Sequence, residues 1–487
     1  MEFNLAIERV NGKAFYKAIA DAIAEAIESG QLLPGQQLPP ARVLATHYQT
    51  SSSTAVRAYE SLISMGYLET SPKEGTYVSY AFLSQDSQNQ IGQVENTSVL
   101  SPNKVSPFGK RLLQGNMDNI KHGTVSIDFP SADLLPLGIW HQYISRAKNC
   151  YLSDPSFLNY SANEFGSIKL REAIADYLVR AKGIKCSASQ IIITASMRLD
   201  IACRALITPG DLAIVENPGY PVLRRVLQSH GAELVAGRVD DNGLVVEELE
   251  LLANIKHGLK LICVSPTHQD PTGVSLSLSR RKKLLDLAEQ TDSFIWEADF
   301  DCQFRYASSP LPSLKGLDNY DRVIYSSAFW MSMGPMARLG FLVLPKQMIH
   351  IFELMMDVTG NDLSVLEQSA LHDFIVDGQW ERVIHKTRAL YARKRQILIQ
   401  SLLQLFGRLV SMPSESSAVH LLIQLDLNVN AEVVLDAAKE CGMTFKSTSN
   451  YYLSGAPKLE FMVQFANLND SEIFDRVKSL AHKLIII

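Results

Sequence analysis

Between residues 190 and 345 short apolar runs recur, at 191–194, 213–216, 233–239, 259–264, 294–299, 322–329 and 339–344. Stretches with helical periodicity separate most of them, most clearly at 167–181 and 280–291. Runs this short and this apolar read as strands buried on both faces. Their alternation with helices is what a mostly parallel sheet requires, because parallel neighbours can be joined only by a crossover. The pattern predicts an α/β domain with a mostly parallel seven-stranded sheet and flanking helices. Beyond it the chain is richer in helix, with strands at 420–425 and 458–465, which predicts a small C-terminal α+β subdomain.

The chain has 487 residues, 46% of them apolar and 20% charged, which suits several packed units and excludes a mainly disordered protein. No apolar run approaches the ~20 residues of a membrane span, so no membrane partner is expected. The opening residues, with Glu2, Glu8 and Arg9, lack the apolar core of a signal peptide. The six cysteines are scattered without a C-x-x-C pair, which fits reduced thiols in a cytoplasm and no metal site. The net charge of −5 supplies no global basic field. The expected division is residues 1–80, a Ser/Gln/Asn-rich linker at 81–122, and a large domain at 123–487, whose main part ends near 375 and whose small subdomain spans about 376–487.

In residues 1–80, Phe15, Ala18, Ile19, Ala22, Ile23, Ala26 and Ile27 fall on one helical face, and Gly30 stands where a helix C-terminus favours glycine. A second helix begins near Pro40 and a third after Ser51, Ser52 and Ser53, with Val56, Tyr59, Leu62 and Ile63 expected inward. Residues 67–69 and 76–78 flank a polar turn as a hairpin. This order is a winged helix-turn-helix. The segment G-x-L-x-P-G-x-x-L-P at Gly30 to Pro39, Arg42, the run VRAYE from Val56 and the wing EGTYV resemble the DNA-binding domain of the GntR family of bacterial regulators. The resemblance implies that the third helix enters the major groove of operator DNA with its N-terminal end toward the bases. Ser51, Ser52, Ser53 and Thr54 then reach bases or phosphates, Arg42 and Arg57 pair with phosphates, and Lys73 and Gly75 place the wing on the backbone. The segment holds six basic and eight acidic side chains, a net charge of −2, and family members usually carry arginine where this chain has Ser52. Both features imply modest affinity per module. A small helical dimerisation domain is the alternative reading of the same pattern.

The large segment carries, in order, YSANEFGSIKLREAIADYL from Tyr160, ENPGYP from Glu216, SPTHQDPTG from Ser265, EADFD from Glu297, and MARLGFLVLP from Met336. This order resembles a type I aminotransferase. Together with the head, the chain is similar to the MocR subfamily of GntR regulators, which join a winged helix to an aminotransferase-like domain. The resemblance implies a homodimer and a site for pyridoxal phosphate (PLP).

The chemistry of such a site departs from the family pattern at four places. Anchored on Arg338-Leu339-Gly340, the family's S-F-S-K-T-L-A-P-G-L-R-L-G places Met331 where the Schiff-base lysine belongs, and a thioether forms no Schiff base. The family's E-D-D-Y-D reads here with Ala298 for the carboxylate on the pyridine nitrogen and Phe300 for the tyrosine. The stretch ITASMRLD is shorter than its counterpart before the phosphate-facing helix and lacks its glycine. Met462 replaces the arginine that grips the substrate carboxylate. These losses predict no covalent PLP and no transamination. Tyr220, His268, Gln269 and Arg338 are the candidate ligand contacts that remain. The expected product is a DNA-binding regulator whose body dimerises and is a candidate for effector sensing. A PLP-dependent aminotransferase, a regulator holding PLP non-covalently through Arg338, and an interaction scaffold are the alternatives. The apolar residues at the old site read either as a collapsed core of adaptable methionines and aromatics or as a remodelled pocket for an apolar effector.

Overall fold

The computed structural model describes residues 14–71, 75–79, 105–114, 134–153, 165–251, 258–301, 303–304, 306, 312–413 and 419–485. The chain divides into two compact units, residues 1–104 and 105–487.

In the first unit, helix α1 (Phe15–Glu28) turns Ile19, Ala20, Ile23, Ala26 and Ile27 inward, and Gly30, at φ +75°, reverses the chain after it. Helices α2 (Ala41–His47) and α3 (Ser52–Ser64) follow, then the hairpin β1 (Leu68–Ser71) and β2 (Gly75–Val78). The segment before α2 adds a third rung to this hairpin. Gly35 and Leu38 donate backbone N–H groups to Val78 and Thr76, and Val78 donates to Gln36. The α3 face differs from its expected set. Ala55, Ala58, Tyr59 and Leu62 are buried, whereas Val56 and Ile63 are 41% and 40% exposed. A helix alternates its inward positions by three and four, and here the small Ala55 and Ala58 occupy the close-approach positions. The hydroxyl of Tyr59 donates to the carbonyl of Pro39 at 2.7 Å, which ties α3 to the turn that opens α2.

The second unit is built on one large sheet. Its strands are β3 (Ile191–Ala195), β4 (Leu212–Asn217), β5 (Glu233–Asp240), β6 (Gly243–Leu244), β7 (Leu259–Val264), β8 (Phe294–Ala298), β9 (Val323–Ala328) and β10 (Leu339–Val343). They lie in the order β3-β10-β9-β8-β7-β4-β5-β6. All seven anticipated strands are present, and the two-residue β6 adds an antiparallel eighth on β5. From β9 through β5 the neighbours are parallel, and β10 runs against both β3 and β9. Successive side chains alternate between the two faces, as the period of two demands. Ile192, Val215, Cys263, Trp296, Ala298, Ile324 and Leu342 share one face. Ile191, Ile193, Tyr325, Phe341 and Val343 lie on the other. Each fully buried large aliphatic contributes about 1.5–3 kcal/mol, so both helical layers are held by the sheet.

The small subdomain pairs β11 (Val410–Ser411), β12 (His420–Leu425), β14 (Glu460–Gln464) and β13 (Thr444–Ser447), all antiparallel, beside the long helix Gln379–Phe406 and the helix Asp470–Ile485. One expectation about the linker changes. Residues 107–114 form the helix Pro107–Gln114, which belongs to the second unit. It is fastened to the helix Pro221–His230: Arg111 Nε donates to the Ser229 carbonyl at 2.8 Å, and Phe108 meets the His230 ring edge-on at 5.1 Å. Residues 81–104 and 115–122 lie outside the described residues. Among the described residues no helix is long and apolar enough to cross a membrane.

Removing the α3–turn hydrogen bond by Tyr59→Phe should cost the first unit about 1 kcal/mol, read as a lower denaturant midpoint of its unfolding transition. An unchanged midpoint would show that the Pro39 carbonyl does not depend on Tyr59.

Candidate functional site

Two places gather the residues singled out from the sequence. The first is the N-terminal end of α3. Ser51 is its N-cap: its Oγ accepts from the Thr54 backbone N–H at 3.2 Å and lies 2.9 Å from Ser53 Oγ and 2.7 Å from Thr54 Oγ1. Ser51 therefore serves the helix first, a role that capping preference made legible. Ser52 and Ser53 are exposed at the same positive end of the helix, and Thr54 is half-buried. Arg42 is exposed in the first turn of α2. Arg57 is exposed too, with its guanidinium 4.5 Å from the centre of the Tyr16 ring on α1. Gly75 opens β2 at φ +113°, and an added Cβ would stand 2.9 Å from Gln37 Nε2, so the wing requires glycine there. Lys73 lies outside the described residues.

The second place is the edge of the large sheet where the parallel strands end. A cavity of about 250 Å³ opens there. Its walls come from the ends of β3 (Ala195 to Asp200), β4 (Tyr220), β7 (Asp270), β8 (Phe300) and β9 (Trp330), and from the helix Pro221–His230. This is the crevice where open α/β sheets bind ligands. The loop after β3 keeps a left-handed turn without glycine, with Ser196 at φ +66°. It passes so close to β10 that a Cβ on Gly340 would lie 2.6 Å from the Ser196 carbonyl oxygen. Arg198 then folds back on the helix Leu199–Leu206, and its Nε and Nη2 donate to the two carboxylate oxygens of Asp200 at 2.8 and 3.0 Å. Burial alone would raise the Asp200 carboxyl, but the Arg198 fork and nearby Arg204 hold it below the usual range.

Of the four candidate ligand contacts, Tyr220 lines this cavity, and the other three do not line it. Gln269 is buried and committed to the chain: its Nε2 donates to the carbonyls of Pro218 and Asp270, and its Oε1 accepts from Thr272 N–H and Oγ1. His268 is buried with Nδ1 3.1 Å from Asp301 Oδ1. Arg338 is exposed, and its backbone carbonyl accepts from Ser196 N–H at 3.2 Å. Among the four, the geometry groups Tyr220 with this cavity and sets His268, Gln269 and Arg338 outside its lining.

The positions that depart from the family pattern are also placed. Phe300 lines the cavity, half-buried. Ala298 is buried on one sheet face. Its neighbour Asp299 points to the opposite face, where Tyr325 donates to its Oδ2 at 2.7 Å and Lys182 Nζ lies 3.3 Å away. Met331 is buried in the short helix Trp330–Met333 and packs into the small subdomain's core with Tyr391 and Phe304. Met462 on β14 packs with Leu422 and Tyr451, beside Tyr220. Sequence reading passed over Asp270, Arg198 and Asp200, and took Trp330 as part of the apolar filling of the old site. Asp270 stood inside the quoted SPTHQDPTG, and Arg198 and Asp200 inside ITASMRLD. No group of three metal-ligating side chains occurs among the described residues.

With this geometry in hand, comparison with known proteins is decisive. Residues 141–473 match the aminotransferase class I and II family. The chain belongs to that family. Residues 15–78 match the bacterial regulatory proteins of the gntR family. Several relatives that resemble this aminotransferase-family chain along most of its length carry regulator names. The probable rhizopine catabolism regulatory protein MocR of Rhizobium meliloti is 27% identical over 98% of this chain and 95% of its own. The HTH-type pyridoxine biosynthesis transcriptional regulator PdxR of Corynebacterium glutamicum is 30% identical over 79% of this chain and 78% of its own. Among solved structures, the kynurenine aminotransferase of Pyrococcus horikoshii covers 73% of this chain and 89% of its own, at 25% identity and a TM-score of 0.66. An archaeal alanine:glyoxylate aminotransferase superposes with a TM-score of 0.67 over 78% of this chain and 96% of its own, at 22% identity.

On β4, Glu216 is buried, and its Oε2 accepts from Ser265 N–H at 3.1 Å. Burial pushes its carboxyl from 4.5 up to about 8, against the pull of Ser265 and Gln269. Below the lower value both folded and unfolded chains hold the proton. Between the two values only the folded chain holds it, so stability falls as pH rises through that window. Glu216→Gln should remove this slope. The melting temperature of the native chain should drop relative to the variant between about pH 5 and about pH 8.5. A constant difference would show that Glu216 titrates as an ordinary carboxyl.

Proposed function

We propose that this chain is a DNA-binding transcriptional regulator whose aminotransferase-like domain holds the dimer and senses an effector, without covalent PLP and without transamination. The observation that carries the reading is the union of a GntR-type winged helix with an aminotransferase fold that has Met331 at the Schiff-base position. Residues at the cavity support it. Among its described lining residues there is no lysine, and the N-terminal end of the helix that faces the cofactor phosphate in relatives is occupied by the chain's own Asp200, neutralised by Arg198. Ala298 offers no carboxylate, and Asp299 is engaged on the other face with Tyr325 and Lys182. These residues do not fit PLP.

On the DNA side, Ser52 and Ser53 with Arg42 supply hydroxyls and a cation for phosphates and base edges, and the exposed Val56 offers an apolar contact of the kind that meets a thymine methyl. A homodimer is supported by unpartnered apolar side chains on the second unit: Leu137, Ile139 and Leu152 on the helix Leu137–Ser153, and Ile351, Leu354 and Val358 on the helix Ile349–Thr359. A dimer raises the effective concentration of the second head once the first has bound, which offsets the −2 charge of each head.

Arg42→Ala should weaken operator binding and flatten its salt dependence by about one phosphate contact while leaving the dimer intact. Unchanged affinity at low and moderate salt would remove Arg42 from the interface. Titration with PLP, followed by borohydride reduction and mass analysis, should give no aldimine absorption and no specific adduct. A single reduced lysine would restore the enzyme reading.

A further inference from the structure

The opening two turns of α3 present an unusual set of side chains for reading DNA. Ser52, Ser53, Val56 and Arg57 are exposed, Thr54 is half-buried, and Ala55 and Ala58 face the core. Val56 lies four residues after Ser52 and three after Ser53, so the three share one outward face. Reading a guanine in the major groove takes paired donors, as on arginine, or a lysine, and reading an adenine takes the paired donor and acceptor of asparagine or glutamine. Ser52, Ser53 and Val56 supply none of these. A single hydroxyl meets either kind of base edge, and the Ser53 hydroxyl is already 2.9 Å from Ser51 Oγ within the helix cap. The one guanidinium on this stretch, that of Arg57, stands 4.5 Å from the centre of the Tyr16 ring, a contact that favours its lying against α1.

We infer that this head selects its operator through thymine methyl groups rather than through guanine, with Val56 as the discriminating residue. The inference rests on the reading of α3 as the helix that enters the major groove, and it names the base that helix takes. Thymine is the base that presents an apolar group there, its C5 methyl. Val56 is 41% exposed although apolar, so it has surface left to bury. Packing its methyls on a thymine methyl removes both from water. Packing them on a guanine or cytosine edge strips a polar group of its water and returns no hydrogen bond. The same side chain therefore attracts one base and penalises the others, which is how discrimination is built without a bidentate pair.

The test uses the full chain and a pool of short random duplexes enriched by repeated binding at moderate salt. The enriched duplexes are then remade with uracil for thymine, which removes the C5 methyl and keeps the base pairing. Thymine should be enriched in each half-site, and its replacement by uracil should weaken binding about fourfold for each methyl that meets Val56. Val56→Ala, an exposed substitution that a helix accepts, should bind the thymine and uracil duplexes alike. Ser52→Arg, which supplies a fork of donors, should move the enrichment toward guanine. Arg57→Ala should leave the enriched sequence unchanged. Enrichment of guanine by the unaltered chain, no loss on uracil replacement, or a uracil effect that survives Val56→Ala overturns the inference and leaves DNA binding standing. Retention of the pool at low salt with no enrichment does the same. No retention even at low salt overturns the DNA-binding reading and the inference with it.

Discussion

A buried parallel sheet leaves a chain few places to do chemistry. Both faces of this one are covered, and its strands are apolar on each side because helices pack against both. The strands also share a direction from β9 through β5, and β3 shares it by being antiparallel to β10 in turn. Six of these strands therefore release their chains at one edge, and the segments that follow five of them meet at the cavity. That convergence brings Ser196, Tyr220, Asp270, Phe300 and Trp330, far apart in sequence, to one cavity. The site is a consequence of topology before it is a consequence of any particular side chain.

This explains how the scaffold persists while the proposed chemistry changes. The loops are locked by groups that spend themselves on the chain. Gln269 holds the Pro218 and Asp270 carbonyls, Glu216 takes the Ser265 amide, and His420 Nε2 lies 3.0 Å from the Pro271 carbonyl. Each is buried and polar, so losing its partner would cost the desolvation of whatever remained. At the end of β8, Ala298 is buried on a sheet face and Phe300 lines the cavity. Met331 joins the core of the small subdomain, as a flexible thioether can.

The long strands were legible because each is a run of residues buried on both faces. The pairs β6 and β11, two residues each, carry no pattern of their own and exist because a neighbour offers free backbone groups. On α3, a search for large apolar residues selected Val56 and Ile63, whereas the packing uses Ala55 and Ala58, whose smallness is their qualification. At the cavity, the motif order located the loops but not the direction of each side chain. Tyr220 stood in the quoted ENPGYP, and the structure sets it at the N-terminus of the helix Pro221–His230 on the cavity wall. Gln269 and His268 were chosen beside the residue that does line it, Asp270, and Arg338 shares only its backbone with the loop that does.

The helix Pro221–His230 performs two jobs along about 15 Å of length. Its opening turns, with Tyr220, Val222, Leu223 and Val226, form a wall of the cavity. Its final turn holds Arg111 and Phe108 of the helix Pro107–Gln114. Wall and mooring are thus parts of one rod. Any rigid displacement of that helix therefore moves the cavity wall and the contacts of Arg111 and Phe108 together.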